Sequence, residues 1–288
     1  MRYFITGVGG QLGHDIVQEL KERGEQEIFA PTREELNINN REQVMLYMAK
    51  VQPDVIFHCA AYTKVDKAEE EKEACYQTNV MGTKNLVDAS LALNAKFIYI
   101  STDYVFDGTK EGVYQEEDLT NPKSVYGMTK YLGEKIVETN PNHYIARVSW
   151  VFGKNGGNFV KTMLRLSETH KDLNVVSDQI GSPTYTKDLA EILVTMSDTD
   201  QYGTYHITNS NYCSWADFAK YILKEAGTTT EVHEVSTEEY LALTGTKQAY
   251  RPRNSKLSKQ KLETVFGEGL PTWQDATKRY LKEIKIKK

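Results

Sequence analysis

The feature that most constrains this fold is a glycine loop set between a strand and a helix at the very start of the chain. Arg2 to Thr6 reads as a strand, and Gly7-Val8-Gly9-Gly10-Gln11-Leu12-Gly13 follows at once. Leu12 to Arg23 then has the spacing of an amphipathic helix ending near Gly24. Glycines at 7, 10 and 13 let the backbone turn tightly and approach a ligand closely. The helix start adds unpaired N–H groups and the positive end of a dipole. That combination suits a pyrophosphate, so Gly7, Gly10, Gln11, Leu12 and Gly13 predict a dinucleotide site.

Downstream, strand-length apolar runs alternate with helical spacing. Glu27 to Ala30, Asp54 to His58, Lys96 to Ser101 and Tyr144 to Ser149 read as strands. Asn40 to Lys50, Glu71 to Leu93 and Ser124 to Thr139 read as helices. Repeated βα units predict an α/β protein with a Rossmann-type doubly wound parallel sheet. From about Trp150 the pattern loosens into a smaller mixed α/β domain, with strands such as Asn174 to Ser177 and Thr204 to Thr208. Ser214 to Ala226 and Thr272 to Ile286 read as helices in this half. The expected division is 1–150, with an interleaved part at roughly 171–200, for the dinucleotide-binding domain. Roughly 151–170 and 201–288 would form the substrate-binding domain.

Composition narrows the function. Of 288 residues, 40% are hydrophobic and 26% charged, and the net charge of −5 argues against a nucleic-acid partner. A basic cluster at Lys282, Lys285, Lys287 and Lys288 reads as a solvated helix end, and the acidic run Glu69, Glu70, Glu71 and Glu73 as a solvated helix start. Cys59, Cys75 and Cys213 have neither metal-ligand spacing nor the number for a disulfide framework. No apolar stretch reaches the ~18 residues of a membrane span, and no signal-peptide core is present. A soluble, cytoplasmic protein without a membrane partner is expected.

The second chemical signal is Tyr126-Gly127-Met128-Thr129-Lys130. Tyr and Lys four apart share one helix face. Ser101-Thr102-Asp103 sits at the carboxyl end of the buried KFIYIS strand, where open α/β sheets bind ligands. These are the groups a carbonyl reduction needs beside a hydride donor. Tyr126 would give the proton, and Lys130 would lower its pKa and bond the nicotinamide ribose. Thr102, in preference to Ser101, would orient the carbonyl oxygen. The second strand ends in Ala30-Pro31-Thr32-Arg33, without the acid that usually marks NAD. Arg33 could accept a 2′-phosphate, which favours NADPH while leaving NADH open.

The glycine loop, HCAAYT at 58–63, STDYVFDG at 101–108 and YGMTK at 126–130 resemble the extended short-chain dehydrogenase/reductase family. VDKAE at 65–69, RVSWVFG at 147–153, GNF at 157–159, DQIGSPT at 178–184 and RPRNSKL at 251–257 narrow the resemblance to its dTDP-4-dehydrorhamnose reductase branch, over nearly the whole chain. The resemblance implies NAD(P)H-dependent reduction of the C4 keto group of dTDP-4-dehydro-β-L-rhamnose to dTDP-β-L-rhamnose. It places Asn37 and Ile38 at the adenine end, where Asn37 replaces an Asp. Ala60, Ala61, Tyr62 and Thr63 would line the cofactor. Asp103, Tyr104, Val105, Phe106, Trp150, Asn158 and Phe159 would surround the sugar, with Arg251 facing the diphosphate. Trp150 as core packing and Arg251 as a surface ion pair remain open alternatives, and His58 reads as a packed core histidine. Some family members bind magnesium through glutamates at a dimer interface. Asp15 with Asp188 or Glu191 matches that pattern loosely; no metal is expected, and a homodimer stays open. A dehydratase is disfavoured because Asp103-Tyr104 lacks its second carboxylate, and an epimerase matches the later motifs less well. A regulatory binding subunit related to this branch is the non-enzymatic alternative.

Overall fold

The computed structural model describes residues 1–267 and 269–285. Its centre is a six-stranded sheet in the order Glu27–Phe29 (β2), Arg2–Thr6 (β1), Val55–His58 (β3), Lys96–Thr102 (β4), His143–Val148 (β5) and Gly203–His206. Every pairing in it is parallel. Parallel strands need crossovers, and helices supply them on both faces, so the strands are apolar almost throughout. Phe4, Phe57, Phe97 and Tyr144 are fully buried. After β1 the chain moves outward to β2 and then returns to the other side of β1 as β3. That reversal leaves a crevice at the carboxyl ends of the strands.

Local chemistry fixes the helix ends. Asn40 accepts from the Gln43 N–H at 3.0 Å to start Arg41–Val51, and Ser124 caps Val125–Val137 through the Gly127 N–H at 3.0 Å. The run read as one helix from Glu71 to Leu93 is broken. Lys72–Tyr76 and Thr83–Leu93 are α-helical, and Gln77–Gly82 between them is a π-helix. At its end Thr83 Oγ1 donates back to the Asn79 carbonyl at 2.7 Å, a side-chain bond that competes with the regular ladder.

The division between the lobes differs from the one expected. Asp172–Val176 pairs with Glu231–Val235, so it belongs to the smaller lobe rather than to an interleaved 171–200 segment. Gly203–His206 instead completes the main sheet beside β5. Helix Thr186–Ser197 buries Leu189, Leu193 and Val194 in the same core as Ile5, Ile16 and Phe57. The smaller lobe has its own core of Phe152, Tyr185, Phe218, Trp273 and Tyr280. Lys287, Lys288 and the Lys285 side chain of the basic cluster lie outside the described residues.

Candidate active site

A cleft of about 940 Å³ runs across the carboxyl ends of β1, β3 and β4 to the smaller lobe, a size suited to sizeable organic ligands. Gly7 and Gly10 form its floor at one end. Gly7 has φ +70°, and a Cβ there would stand 2.7 Å from the Ala60 nitrogen, so only glycine fits. Gly13 lies behind this wall; a Cβ on it would meet the Gly7 carbonyl oxygen at 2.5 Å, so its role is helix-to-strand packing. Helix α1 (Gln11–Glu22) starts at Gly10 with no side-chain cap and no acid in its first turn. Its leading N–H groups are therefore offered to a ligand anion. The cradle fits a dinucleotide pyrophosphate.

The Gln11 side chain serves a different purpose. Its Oε1 accepts from the Gly153 N–H at 2.7 Å and from Asn158 Nδ2 at 3.0 Å, while Asn155 Nδ2 donates to the Gly9 carbonyl at 3.0 Å. Residues 153–158 thus pin the glycine loop to the smaller lobe. Asn158 is used up here, as cap of helix Phe159–Ser167 and partner of Tyr280, and it does not line the cleft. Phe159 packs on Trp215 at 4.6 Å and also stays behind the wall.

Leu12, Arg33, Asn37, Ile38, Ala60, Ala61 and Thr63 line the same cleft as Gly7 and Gly10. Arg33 is exposed, borders the cleft and makes no ion pair among the described residues. Tyr62 turns its side chain away to donate to Glu71, and its N–H donates to Asn79 Oδ1 at 2.7 Å. His58 is buried between Thr6 Oγ1 at 2.9 Å and Thr83 Oγ1 at 3.0 Å. Burial and then Lys130 push its pKa down to about 3, so it is a neutral core histidine.

Thr102, Tyr126 and Lys130 meet on the cleft floor. Burial raises the Tyr126 phenol pKa and the Asp103 carboxylate adds to the rise, while the adjacent Thr102 hydroxyl pulls it partly back. The lowering expected from Lys130 is not what the geometry delivers. Its ammonium sits 3.9 Å from the centre of the Tyr99 ring, and burial pushes its own pKa down to about 7 against the opposing pull of Glu134. Ser101 is excluded from the chemistry: its hydroxyl donates to Glu134 Oε1 at 2.5 Å, inside a buried pair with Arg147.

The opposite wall carries Asp103, Tyr104 and Trp150, together with Trp215, which sequence reasoning missed. Asp103 is buried between Thr102 and Ser255, and Tyr104 meets Tyr126 edge-on at 5.5 Å. Trp150 lies face to face with Trp215, has φ +50°, and shields Gly181, where a Cβ would stand 2.8 Å from the indole. Val105 and Phe106 do not reach the cleft. They pack in a core cluster with Tyr114 and Leu257, because the short 3₁₀ turn Asp103–Val105 swings them behind the wall. Arg251 also stands outside the lining. Its Nη2 bonds both Asp66 carboxylate oxygens, at 2.9 and 3.0 Å, and its Nη1 donates to the Tyr104 hydroxyl at 3.0 Å.

With this geometry in view, the relatives are informative. The family model described as "RmlD substrate binding domain" matches residues 1–286. The spore coat polysaccharide biosynthesis protein SpsK of Bacillus subtilis (strain 168) is 42% identical, covering 98% of this chain and 97% of its own. The dTDP-4-dehydrorhamnose reductase of Aggregatibacter actinomycetemcomitans is 41% identical, covering 96% of this chain and 97% of its own. A crystal structure of dTDP-4-dehydrorhamnose reductase from Bacillus anthracis in complex with NADP matches with a TM-score of 0.93 and 41% identity, over 98% of this chain and 99% of that one. The chain belongs to the dTDP-4-dehydrorhamnose reductase family of extended short-chain dehydrogenases/reductases.

Proposed function

We propose that this protein reduces the C4 keto group of dTDP-4-dehydro-β-L-rhamnose to give dTDP-β-L-rhamnose, the last step in making activated rhamnose for cell-surface polysaccharide. The observation that carries the reading is the meeting of Thr102, Tyr126 and Lys130 beside a cleft whose far end is a glycine-bounded helix start. NADPH is the preferred cofactor. It would be held by Gly7, Gly10 and the first N–H groups of α1, with Arg33 at the 2′-phosphate, Asn37 and Ile38 at the adenine, and Ala60, Ala61 and Thr63 along the edge. When bound, its reduced nicotinamide supplies the hydride.

The chain's own residues do the rest. Thr102 orients the carbonyl oxygen, and Tyr126 donates its phenolic proton to the oxygen as negative charge develops there. Burial keeps that phenol protonated across the neutral range. Lys130, cationic below about 7, bonds the ribose of the cofactor. Trp150 and Trp215 give the sugar an apolar wall, and Arg251, held by Asp66 outside the cleft lining, would have to leave that carboxylate to meet a diphosphate. A dehydratase would need a second acid beside Asp103; the next residue is Tyr104, whose hydroxyl is tied to Arg251.

The test follows oxidation of NADPH in the presence of dTDP-4-dehydrorhamnose by wild type and Tyr126→Phe. Oxidation lost in the variant while NADPH still binds supports the reading. Tight cofactor binding with no oxidation by wild type would favour the non-catalytic regulator. A homodimer and a cytoplasmic location belong to the same proposal, the latter supported by three unpaired cysteines. Sedimentation and cell fractionation test them. No helix among the described residues is long and apolar enough to cross a membrane.

A further inference from the structure

Thr102 carries one hydroxyl proton, and two acceptors compete for it. In the structure that proton goes to Asp103 Oδ1 at 3.0 Å, while Thr102 Oγ1 accepts from the Tyr104 N–H at 3.2 Å. Orienting a substrate carbonyl requires the same proton to point into the cleft. The second Asp103 oxygen accepts from Ser255 Oγ at 2.5 Å, and Asp103 as a whole is only 3% exposed.

We propose that Asp103 is a positioning residue that gates Thr102. When Asp103 is ionised it holds the Thr102 proton away from the cleft. When Asp103 is protonated the hydrogen bond between them reverses, and the Thr102 proton is released to the substrate oxygen. The inference rests on the reductase reading. It explains why a carboxyl group with no cation bonded to it among the described residues sits one residue from the oxygen-orienting hydroxyl.

The surroundings decide the pH at which such a gate works. Asp103 faces the phenols of Tyr126 and Tyr104 and the hydroxyls of Thr102 and Ser255, with Arg251 reaching it only through Tyr104. Burial raises the Asp103 pKa to about 6, and the Ser255 and Thr102 hydrogen bonds oppose that rise. A carboxyl group with a raised pKa keeps its proton below that value and loses it above. Thr102 is therefore released on the acid side and withheld as pH rises through the midpoint.

The experiment measures kcat/KM against pH at saturating NADPH for wild type, Asp103→Asn and Ser255→Ala, alongside infrared difference spectra of the protonated carboxyl band. Wild type should lose about tenfold per pH unit above the midpoint. Ser255→Ala removes a donor to the ionised carboxylate, so both the kinetic and the infrared midpoints should move up by about half a unit to one unit. An amide at 103 donates to Thr102 at every pH, and this limb should vanish. A separate limb from Lys130 would stay put in both variants. A limb that neither moves in Ser255→Ala nor disappears in Asp103→Asn overturns the gate, and so does an infrared band whose midpoint ignores Ser255. If Asp103→Asn does not fold, the paired shift in Ser255→Ala decides alone. Failure of wild type to oxidise NADPH would instead overturn the substrate reading, since the infrared titration needs no turnover.

Discussion

The indole rings of Trp150 and Trp215 stack face to face with their centres 3.6 Å apart and their planes 12° from parallel. Trp150 holds a left-handed backbone, φ +50°, that a bulky side chain adopts only when its surroundings insist. Trp215 supplies that insistence from the first turn of a helix capped by Ser214.

Replacing Trp215 by Ala should free Trp150 to relax and so spoil the sugar wall without touching the cofactor cradle. An aromatic pair is worth about 0.5–1.5 kcal/mol beyond its buried area, so KM for the nucleotide sugar should rise roughly two- to tenfold. Affinity for NADPH, measured by titration, should stay as it was. Trp215→Phe should recover most of the loss. An equal rise in the NADPH dissociation constant would mean that Trp215 supports the whole lobe instead.

Ser101 and Thr102 are adjacent hydroxyls with separate fates, which kinetics and unfolding can tell apart. Measured on the acid side of the Asp103 midpoint, Thr102→Ala should cut kcat by about 10²- to 10³-fold, the range for loss of an oxyanion donor, with little change in melting. Ser101→Ala should leave kcat within a few-fold but lower stability by about 1–3 kcal/mol. It removes a hydrogen bond to the Glu134 carboxylate, which has no solvent exposure. Urea unfolding of the two variants checks the contrast.

Cofactor choice should turn on Arg33, whose guanidinium borders the cleft and forms no ion pair among the described residues. Arg33→Ala should weaken NADPH binding about tenfold or more, because a charge-assisted bond to phosphate is lost. NADH binding, which offers no 2′-phosphate, should scarcely move. Equal losses for the two cofactors would detach Arg33 from the choice.

Much of the cleft lining was legible in the sequence because its parts are local. Gly7 to Gly13 is one turn, Tyr126 and Lys130 are one helical turn apart, and Thr102 ends a strand whose apolar run is unmistakable. The hidden parts are joined only by folding. Ser255 reaches Asp103 across 152 positions, and Trp215 meets Trp150 through a second lobe. Glu134, which silences Ser101, reads from the sequence as an ordinary helix-face acid. Val105 and Phe106 were misplaced because a 3₁₀ turn changes direction without leaving a periodic signature. The lobe boundary slipped for a related reason: Asp172–Val176 is a plain strand pattern, and only its pairing with Glu231–Val235 assigns it to the smaller lobe.

Lys130 carries the clearest conflict between stability and function. It is 2% exposed, its ammonium lies over the Tyr99 ring, and burial pushes its pKa from the usual lysine range to about 7. The folded state therefore binds fewer protons than the unfolded chain between about 7 and the ordinary lysine value near ~10.4, so this residue makes the protein more stable as pH rises through that window. At or below pH 7 the folded protein must hold a buried cation. Lys130→Met keeps the volume and removes the charge, so at pH 7 it should raise unfolding free energy by roughly 1–3 kcal/mol while abolishing turnover. The gain should shrink toward pH 10, where the wild-type amine is neutral when folded. Urea melts at the two pH values check the sign. A variant less stable than wild type at pH 7 would mean that Lys130 is held by attraction, through the Tyr99 ring and Glu134, more than it is penalised by burial.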